Sequence, residues 1–569
     1  MSYLRFDKTL MTNLEESLQR EILRTNKAGA YHCTTIVDCN TRKYHGLLVI
    51  PVPNIDDENH VLLSSLDETV IQHGAEFNLG LHKYQGNNFS PNGHKYIREF
   101  DCEHIPATTY RVGGVILRKE KIFVHHENRI LIRYTLLDAH SATTLRFRPF
   151  LAFRSVREYT HENAQANREY QLVENGIKTC MYPGYPELYM QLNKKCEFHF
   201  MPDWYRGIEY PKEQERGYDS NEDLYVPGYF EVDIKKGESI VFSAGTSEVT
   251  PRRLKQTFEA EVLDRTPRDS FYHCLKNSAH QFHNQQEDEH YILAGYPWFK
   301  CRARDMFIAL PGLTLALDEV DQFEDVMKTA EKAIRNFINE EPVGYKIYEM
   351  EHPDVLLWAV WALQQYAKET SREQCRQKYG ELLKDIMEFI RQRKHENLFL
   401  HDNGLLFANG TDKAITWMNS TVNGHPVIPR TGYIVEFNAL WYNALRFMAD
   451  LLLRTMTERD RYLKTLHQSD ICIGTMGLHK SSGWKTAEYV AASKGIVNET
   501  LHYEVPGNFL EGKNYLAFIT NEECMTGISK LVDDPDLLLQ MKVNNRQYYE
   551  NYLRPDMLIK QVLKIVEAD

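Results

Sequence analysis

One change of rhythm limits what this chain can fold into. Apolar residues recur at every second position up to about residue 250, and at helical spacing from about Arg268 onward. The segments HGLLVIPV, TYRVGGVILRKEKIFVHH, RILIRYTLLDAH, TTLRFRPFLAF, LYMQLN and KGESIVFSAGTSEV alternate apolar with polar residues and are separated by turn signals at Gly, Asn and Asp. They predict an N-terminal antiparallel β-sandwich over residues 1–250. After a linker at 251–269, SFYHCLKNSAHQFHN, RARDMFIALPGLTLALDE, DQFEDVMKTAEKAIRNFINEE, HPDVLLWAVWALQQYAKET, REQCRQKYGELLKDIMEFIRQRK and VEFNALWYNALRFMADLLL read as amphipathic helices within 270–455. Near 455–460 the pattern shifts again. SDICIGT reads as a strand, GLHKSSGWKTAEYVAAS as a Gly/Ser loop opening a helix, and KGIVNETL as a second strand. That order is a βαβ unit with a parallel sheet, placed in a segment 456–569 that closes with short helices.

Several function classes fall away. The net charge is −12 with no basic tract, so no nucleic-acid footprint is expected. No apolar window of about 18 residues occurs, and the first residues lack a basic stretch followed by an apolar one; no membrane span and a cytoplasmic location are expected. The ten Cys are scattered without a C-x-x-C pair, which predicts reduced thiols. Patterns for zinc proteases, serine hydrolases, P-loop NTPases and EF-hands are missing, which removes the commonest metalloprotease, serine-hydrolase, NTPase and calcium readings. The 33 Tyr, 26 Phe and 7 Trp lean toward a protein that offers flat faces to sugars, although most aromatics in a large protein are core.

Three constellations could carry chemistry. Arg42, Tyr44 and His45, beside Gly29 and Gly46, offer directional donors to hydroxyls; the alternative is a turn at Asn40–Thr41 with Arg42 paired to Asp67 or Glu68. The run Ala294–Asp305 is an aromatic loop feeding a helix, with Asp305 in or near the first turn. Helix end and Arg304 would favour its ionised form, and pocket aromatics the protonated one. A cap and ion pair is the plainer reading of the same pattern. Glu436, near Arg430 at the start of the last long helix, is the other carboxylate of interest, with an ion pair as its alternative. Trp358 and Trp361 share an apolar face and read as core, whereas Trp298 and Trp417 lie in loops beside Asp305 and Asn419. The substrate-binding candidates are Arg42, Tyr44, His45, Trp298, Arg304, Asp354, Trp417, Asn419, Arg430 and Asn438.

The blocks NKAGAYHCTTIVDCNTRKYHGLLV and SSLDETV resemble the amino-terminal domain of bacterial and archaeal glycogen debranching enzymes. AGYPWFKCRARDMFIALPGLTLA, ITWMNS and PRTGYIVEFNALWYNALRFMADLL resemble the front part of their amylo-α-1,6-glucosidase domain. The resemblance runs over about residues 1–454. It implies a β-sandwich followed by an (α/α)6 toroid, acting on glycogen or a related α-glucan by inverting hydrolysis of α-1,6 branches with two carboxylates and no metal, and no cofactor is expected. It places Asp305 on the family's general acid. Arg302-Ala303-Arg304-Asp305 departs from the usual Trp-Gly-Arg-Asp, and Asn419 stands where Asp is usual.

The toroid needs twelve helices, and six or seven are counted between 270 and 455, so an incomplete ring is expected. The family's Ser-x-Pro-Glu-x-x-Asp-Gly block, which carries the general base, is not found. An inverting site needs its second carboxylate roughly 6.5–9.5 Å from the first. Hydrolysis is therefore expected to be impaired unless Glu436 substitutes. Residues from about 460 to 569 resemble instead the carboxyl-terminal part of a nucleotide-sugar glycosyltransferase with two Rossmann-like domains. The resemblance puts Ser482, Gly483 and Lys485 near a diphosphate at a helix amino terminus, and Glu488 on the acid that holds ribose hydroxyls. The other readings are a non-catalytic glucan-binding protein, or a fused or misassembled chain ending in a transferase fragment.

Overall fold

The structure is a computed structural model, and it describes residues 3–86, 88–342, 346–452, 456–477, 480, 484–503 and 505–566. Compactness divides the chain into two units, 1–447 and 448–569.

The first unit begins with two antiparallel sheets. One has nine strands, ordered Arg5–Asp7, Ile97–Asp101, Ala107–Val112, Val115–Phe123, Arg129–Asp138, Ser239–Gly245, Leu188–Leu192, Gly176–Thr179 and Gln171–Val173. The other has ten, and at its centre Gly46–Pro51, Asn59–Gln72, Thr143–Ser155 and Asn221–Ile234 lie side by side. The period-two pattern explains the packing: inward residues of both sheets share one core. Tyr134 of the nine-stranded sheet meets Phe147 of the other at 4.7 Å between ring centroids, and Phe147 in turn meets Phe242 at 5.8 Å.

Burial does not stop at the sandwich interior. The segment 251–269, expected as a linker, contains the helix Leu254–Leu263, whose Leu254 and Phe258 pack on Ile122, Leu131 and Val241. On the outer face of the ten-stranded sheet, Tyr31, Tyr44, Val61, Phe150 and Val226 form a second apolar cluster that receives Tyr296 and Trp298 from the aromatic loop. A sheet residue pointing away from the sandwich core is thus still buried, because the helical part covers it.

Among the described residues of 270–452, six α-helices follow the connector: Phe271–Gln281, Ala303–Leu313, Val320–Ile338, Val355–Glu369, Arg372–Arg391 and Val435–Leu452. The run RARDMFIALPGLTLALDE was expected as one helix, but the α-helix ends at Leu313. Pro311 cannot donate to the preceding turn and Gly312 favours helix poorly, so a short 3-10 turn at Leu315–Leu317 follows, with Asp318 at φ +61°. Trp358 and Trp361, expected in the core, are only half-buried and pack edge to face at 5.5 Å.

In the second unit, Ile471–Gly474, Gly495–Glu499 and Leu516–Phe518 form a three-stranded parallel sheet in chain order, with the helix Trp484–Ala491 between the first two strands. Asn521–Asp533 and Pro535–Tyr548 supply Leu531 and Met541 to a cluster with Val497 and Phe518.

Candidate functional site

The aromatic loop is a tight structure. Phe299 N donates to Gly295 O at 2.8 Å and Ala294 N to Lys300 O at 2.9 Å, which turns Trp298 toward the sandwich. There it meets Tyr44 edge to face at 6.3 Å, and the Arg42 guanidinium lies over its ring at 5.4 Å. Arg157 donates to Tyr44 Oη at 3.1 Å. The two constellations that lie far apart in sequence, Arg42/Tyr44 and Trp298, therefore line one cleft of about 1160 Å³, together with Phe299, Arg302 and Glu349.

Arg42 does not pair with Asp67 or Glu68. Its Nε donates to Glu21 Oε1 at 2.7 Å, while Asp67 holds His82 and Glu68 holds Lys119. Burial alone would raise the Glu21 pKa, but hydrogen bonds and charge from His45 and Arg42 bring it down to about 2. His45 lies outside the cleft: it is fully buried, and its Nδ1 accepts from the Thr41 backbone. It orients the loop and cannot reach a sugar.

Asp305 stands in the first turn of Ala303–Leu313, where helix-end polarity favours an anion. As a residue it is exposed, yet protein crowds its carboxyl. Burial raises its pKa from the ordinary value, Arg302 and Arg304 work against that rise, and Glu349 and Asp354 add to it. Asp305 itself is beside the cleft, whereas Arg302 and Glu349, whose charges it feels, line the wall. That wall is fixed by backbone hydrogen bonds between the helix start and 348: Tyr348 N donates to Cys301 O, and Ala303 N to Tyr348 O, each at 2.9 Å. Lys300 and Tyr348 both reach Asp57 from a sandwich loop, the lysine at 2.7 Å.

Beneath Asp305 lies a buried pair. Arg304 donates to Asp354 through Nε at 2.7 Å and Nη2 at 2.9 Å, and Nη2 also reaches His352 Nδ1 at 3.0 Å and Ile415 O at 3.3 Å. Trp358 Nε1 completes the Asp354 shell at 3.2 Å. Both partners are almost without exposure, 6% and 3%, and the two residues expected to touch substrate are committed to each other.

A second group gathers at Glu436, in the first turn of Val435–Leu452. Its carboxylate is gripped by both Arg430 terminal nitrogens, the longer bond at 3.2 Å. Arg430 is the main cause of its lowered pKa, with the Trp417 indole contributing. Trp417 is 63% exposed, and Asn419 is half-buried two residues on. Asn438 is committed to backbone, bonding Leu406 N and O and Ile434 O. None of Trp417, Asn419, Arg430, Glu436 or Asn438 lines the 1160 Å³ cleft.

In the second unit, Lys485 is exposed and Glu488 accepts from Tyr462 Oη at 2.8 Å and Arg459 at 3.3 Å. Ser482 and Gly483 lie outside the described residues. Among the described residues no group of three His, Cys, Asp or Glu could hold a metal ion, and no helix is long and apolar enough to cross a membrane. All ten cysteines are free thiols.

Sequence reasoning missed Glu349, Tyr348 and Arg157 as cleft residues. No spacing signal marks them. Glu349 sits at φ +62°, a conformation that becomes visible only in the fold.

Against known families, residues 20–241 match the model described as glycogen debranching enzyme N terminal, and residues 274–474 match amylo-alpha-1,6-glucosidase. The second match continues beyond residue 454, through the strand Ile471–Gly474. Curated proteins give no match. Among solved structures, a bacterial glucoamylase complexed with acarbose aligns at 9% identity and TM-score 0.34, over 66% of this chain and 58% of that one. The chain thus spans 58% of the length of that glucoamylase. A polysaccharide lyase aligns at 10% identity and TM-score 0.17, over 92% of this chain and 82% of the other. Both superpositions are too loose to argue from.

Proposed function

The chain belongs to the glycogen debranching enzyme family, and on that premise we propose that it hydrolyses α-1,6-linked glucose branches of glycogen or a related α-glucan. The observation that carries the proposal is the place of Asp305, in the first turn of a helix beside an aromatic cleft and next to the cleft residue Arg302, with crowding of its carboxyl pushing its pKa up. A general acid must keep its proton until the leaving glycosidic oxygen takes it, and crowding of the Asp305 carboxyl favours that protonated form. Trp298 and Phe299 offer ring surface to glucose units, and the buried Tyr44 backs Trp298. Arg42 and Arg157 brace the sandwich side, and the Arg304–Asp354 pair positions the acid from below.

Inversion also requires a carboxylate that activates water on the far side of the sugar. Glu436 is a poor one: Arg430 occupies its oxygens and holds its pKa low, which makes it a weak base. On this reading residues 270–455 form the first half of an (α/α)6 ring, 456–569 form a separate α/β segment, and turnover is slow. The free thiols suit a cytoplasmic, reducing setting.

Release of glucose from phosphorylase limit dextrin tests the proposal. A slow release that Asp305→Asn lowers by a further factor of roughly 10²–10⁴ is expected, the usual worth of general acid catalysis. Release that ignores Asp305→Asn would sink the assignment. Turnover at about 10 s⁻¹, ordinary for enzymes, would show that water activation is intact.

The tie between Glu436 and Arg430 also favours a second reading, a glucan-binding protein without catalysis. Glycogen affinity kept in Asp305→Asn, with no glucose released by either protein, would support it.

A further inference from the structure

Arg268 is a buried cation without an anion. It is 5% exposed, and among the described residues its guanidinium makes one hydrogen bond, Nη1 to His104 O at 3.1 Å, with no carboxylate in reach. Its half-buried neighbour Arg24 donates through Nη1 to Leu23 O at 2.6 Å and through Nη2 to Cys102 Sγ at 2.9 Å, and among the described residues no ion pair neutralises it. Burial, then repulsion from Arg24, lowers the Arg268 pKa to about 10. Charges inside proteins are normally paired, because desolvation without a partner is costly. Arg154 with Glu222, Lys119 with Asp38 and Glu68, and Arg304 with Asp354 are buried cations of this molecule that obey the rule.

Arg24 and Arg268 both line a groove of about 480 Å³ between the sandwich edge and the helix Phe271–Gln281. Phe6, Phe100 and Phe282 with Leu4, Ile22 and Ile36 make its apolar wall. Two other charges border it and both are engaged: Arg20 with Glu16, and Glu21 with Arg42. The volume falls in the range of small-molecule sites, and mostly apolar walls with a few convergent polar groups are their usual make-up.

We propose that this groove binds a small phosphomonoester, its phosphate on Arg24 and Arg268 and its organic body against the phenylalanines. The planar guanidinium suits two-point bonding to phosphate oxygens, and a second one adds donors and charge. The ligand supplies the anion that the fold leaves out, and the site is separate from the cleft beside Asp305, whose lining it shares no residue with.

Titration calorimetry on the full chain tests this with inorganic phosphate, glucose 6-phosphate, adenosine 5′-monophosphate and adenosine. At least one phosphomonoester should bind more tightly than inorganic phosphate, and adenosine should bind at least tenfold more weakly than its monophosphate. Whichever phosphomonoester binds better identifies the body that the apolar wall accepts. Arg24→Gln and Arg268→Gln should each weaken binding at least tenfold, with Arg268→Lys retaining part of it. If Arg268→Gln does not fold, Arg24→Gln, at a half-buried position, decides. Absence of phosphomonoester binding at millimolar concentration, or affinity unchanged by Arg24→Gln, overturns the site. The readout is binding alone, so the outcome stands whether or not the chain releases glucose.

Discussion

Asp305 and Glu436 occupy the same place, the first turn of a helix, and their pKa values move in opposite directions. Helix-end polarity is common to both, so the neighbours decide: crowding outweighs Arg302 and Arg304 at Asp305, while a two-nitrogen grip from Arg430 wins at Glu436. An acid whose folded pKa is raised keeps its proton to higher pH than a free Asp, and activity that needs that proton falls as pH rises through the shifted value. Arg302→Gln removes a cation, raises the pKa further and should move this limb of the kcat/KM profile to higher pH. Glu349→Gln removes an anion and should move it lower. A limb that stays put in both variants would mean that the titrating proton is not that of Asp305. Stability separates Asp305 from the pair beneath it. Asp354→Ala leaves the Arg304 cation buried and alone, a loss of about 3–5 kcal/mol in denaturant unfolding. Asp305→Asn removes a charge that the fold already disfavours, so its unfolding midpoint should hold or rise.

At the scale of elements, caps set where helices begin. The side chains of Ser270, Ser371 and Thr520 accept from backbone N–H groups three residues on, and Thr520 with Glu523 forms a reciprocal capping box. Thr520→Ala should cost about 1 kcal/mol, read as an earlier loss of the helix Asn521–Asp533 in hydrogen exchange. Elements of this kind were legible in the sequence because period and cap are local. The alternation in TTLRFRPFLAF and the helical spacing in DQFEDVMKTAEKAIRNFINEE each report a single face. What surrounds an element is not local. Arg42 could not be assigned to Glu21 over Asp67, because partner choice is set by sheet register. His45 looks like a donor to sugar in sequence and is buried in the fold, and Trp358 and Trp361 sit on an apolar face that packing covers only in part.

At the scale of the first unit, the candidate cleft belongs to neither the sandwich nor the helices alone. Tyr44 comes from the strand-connecting loop before Gly46–Pro51, and Trp298 from the loop before Ala303–Leu313; each is half of one aromatic wall. Each residue is a candidate from its own stretch of sequence, and nothing in sequence joins the two, since no local signal encodes contact between distant segments. If Trp298 meets glucan on a seat made by the buried Tyr44, removing either ring already spoils the surface. Tyr44→Ala and Trp298→Ala should each weaken glycogen binding about tenfold, near 1.4 kcal/mol. The double variant should lose clearly less than the sum, because residues in contact do not act independently. Affinity electrophoresis in glycogen gels measures all four proteins. Additive losses would mean that Tyr44 and Trp298 meet the glucan separately, and an unchanged Tyr44→Ala would restrict the site to the helical part.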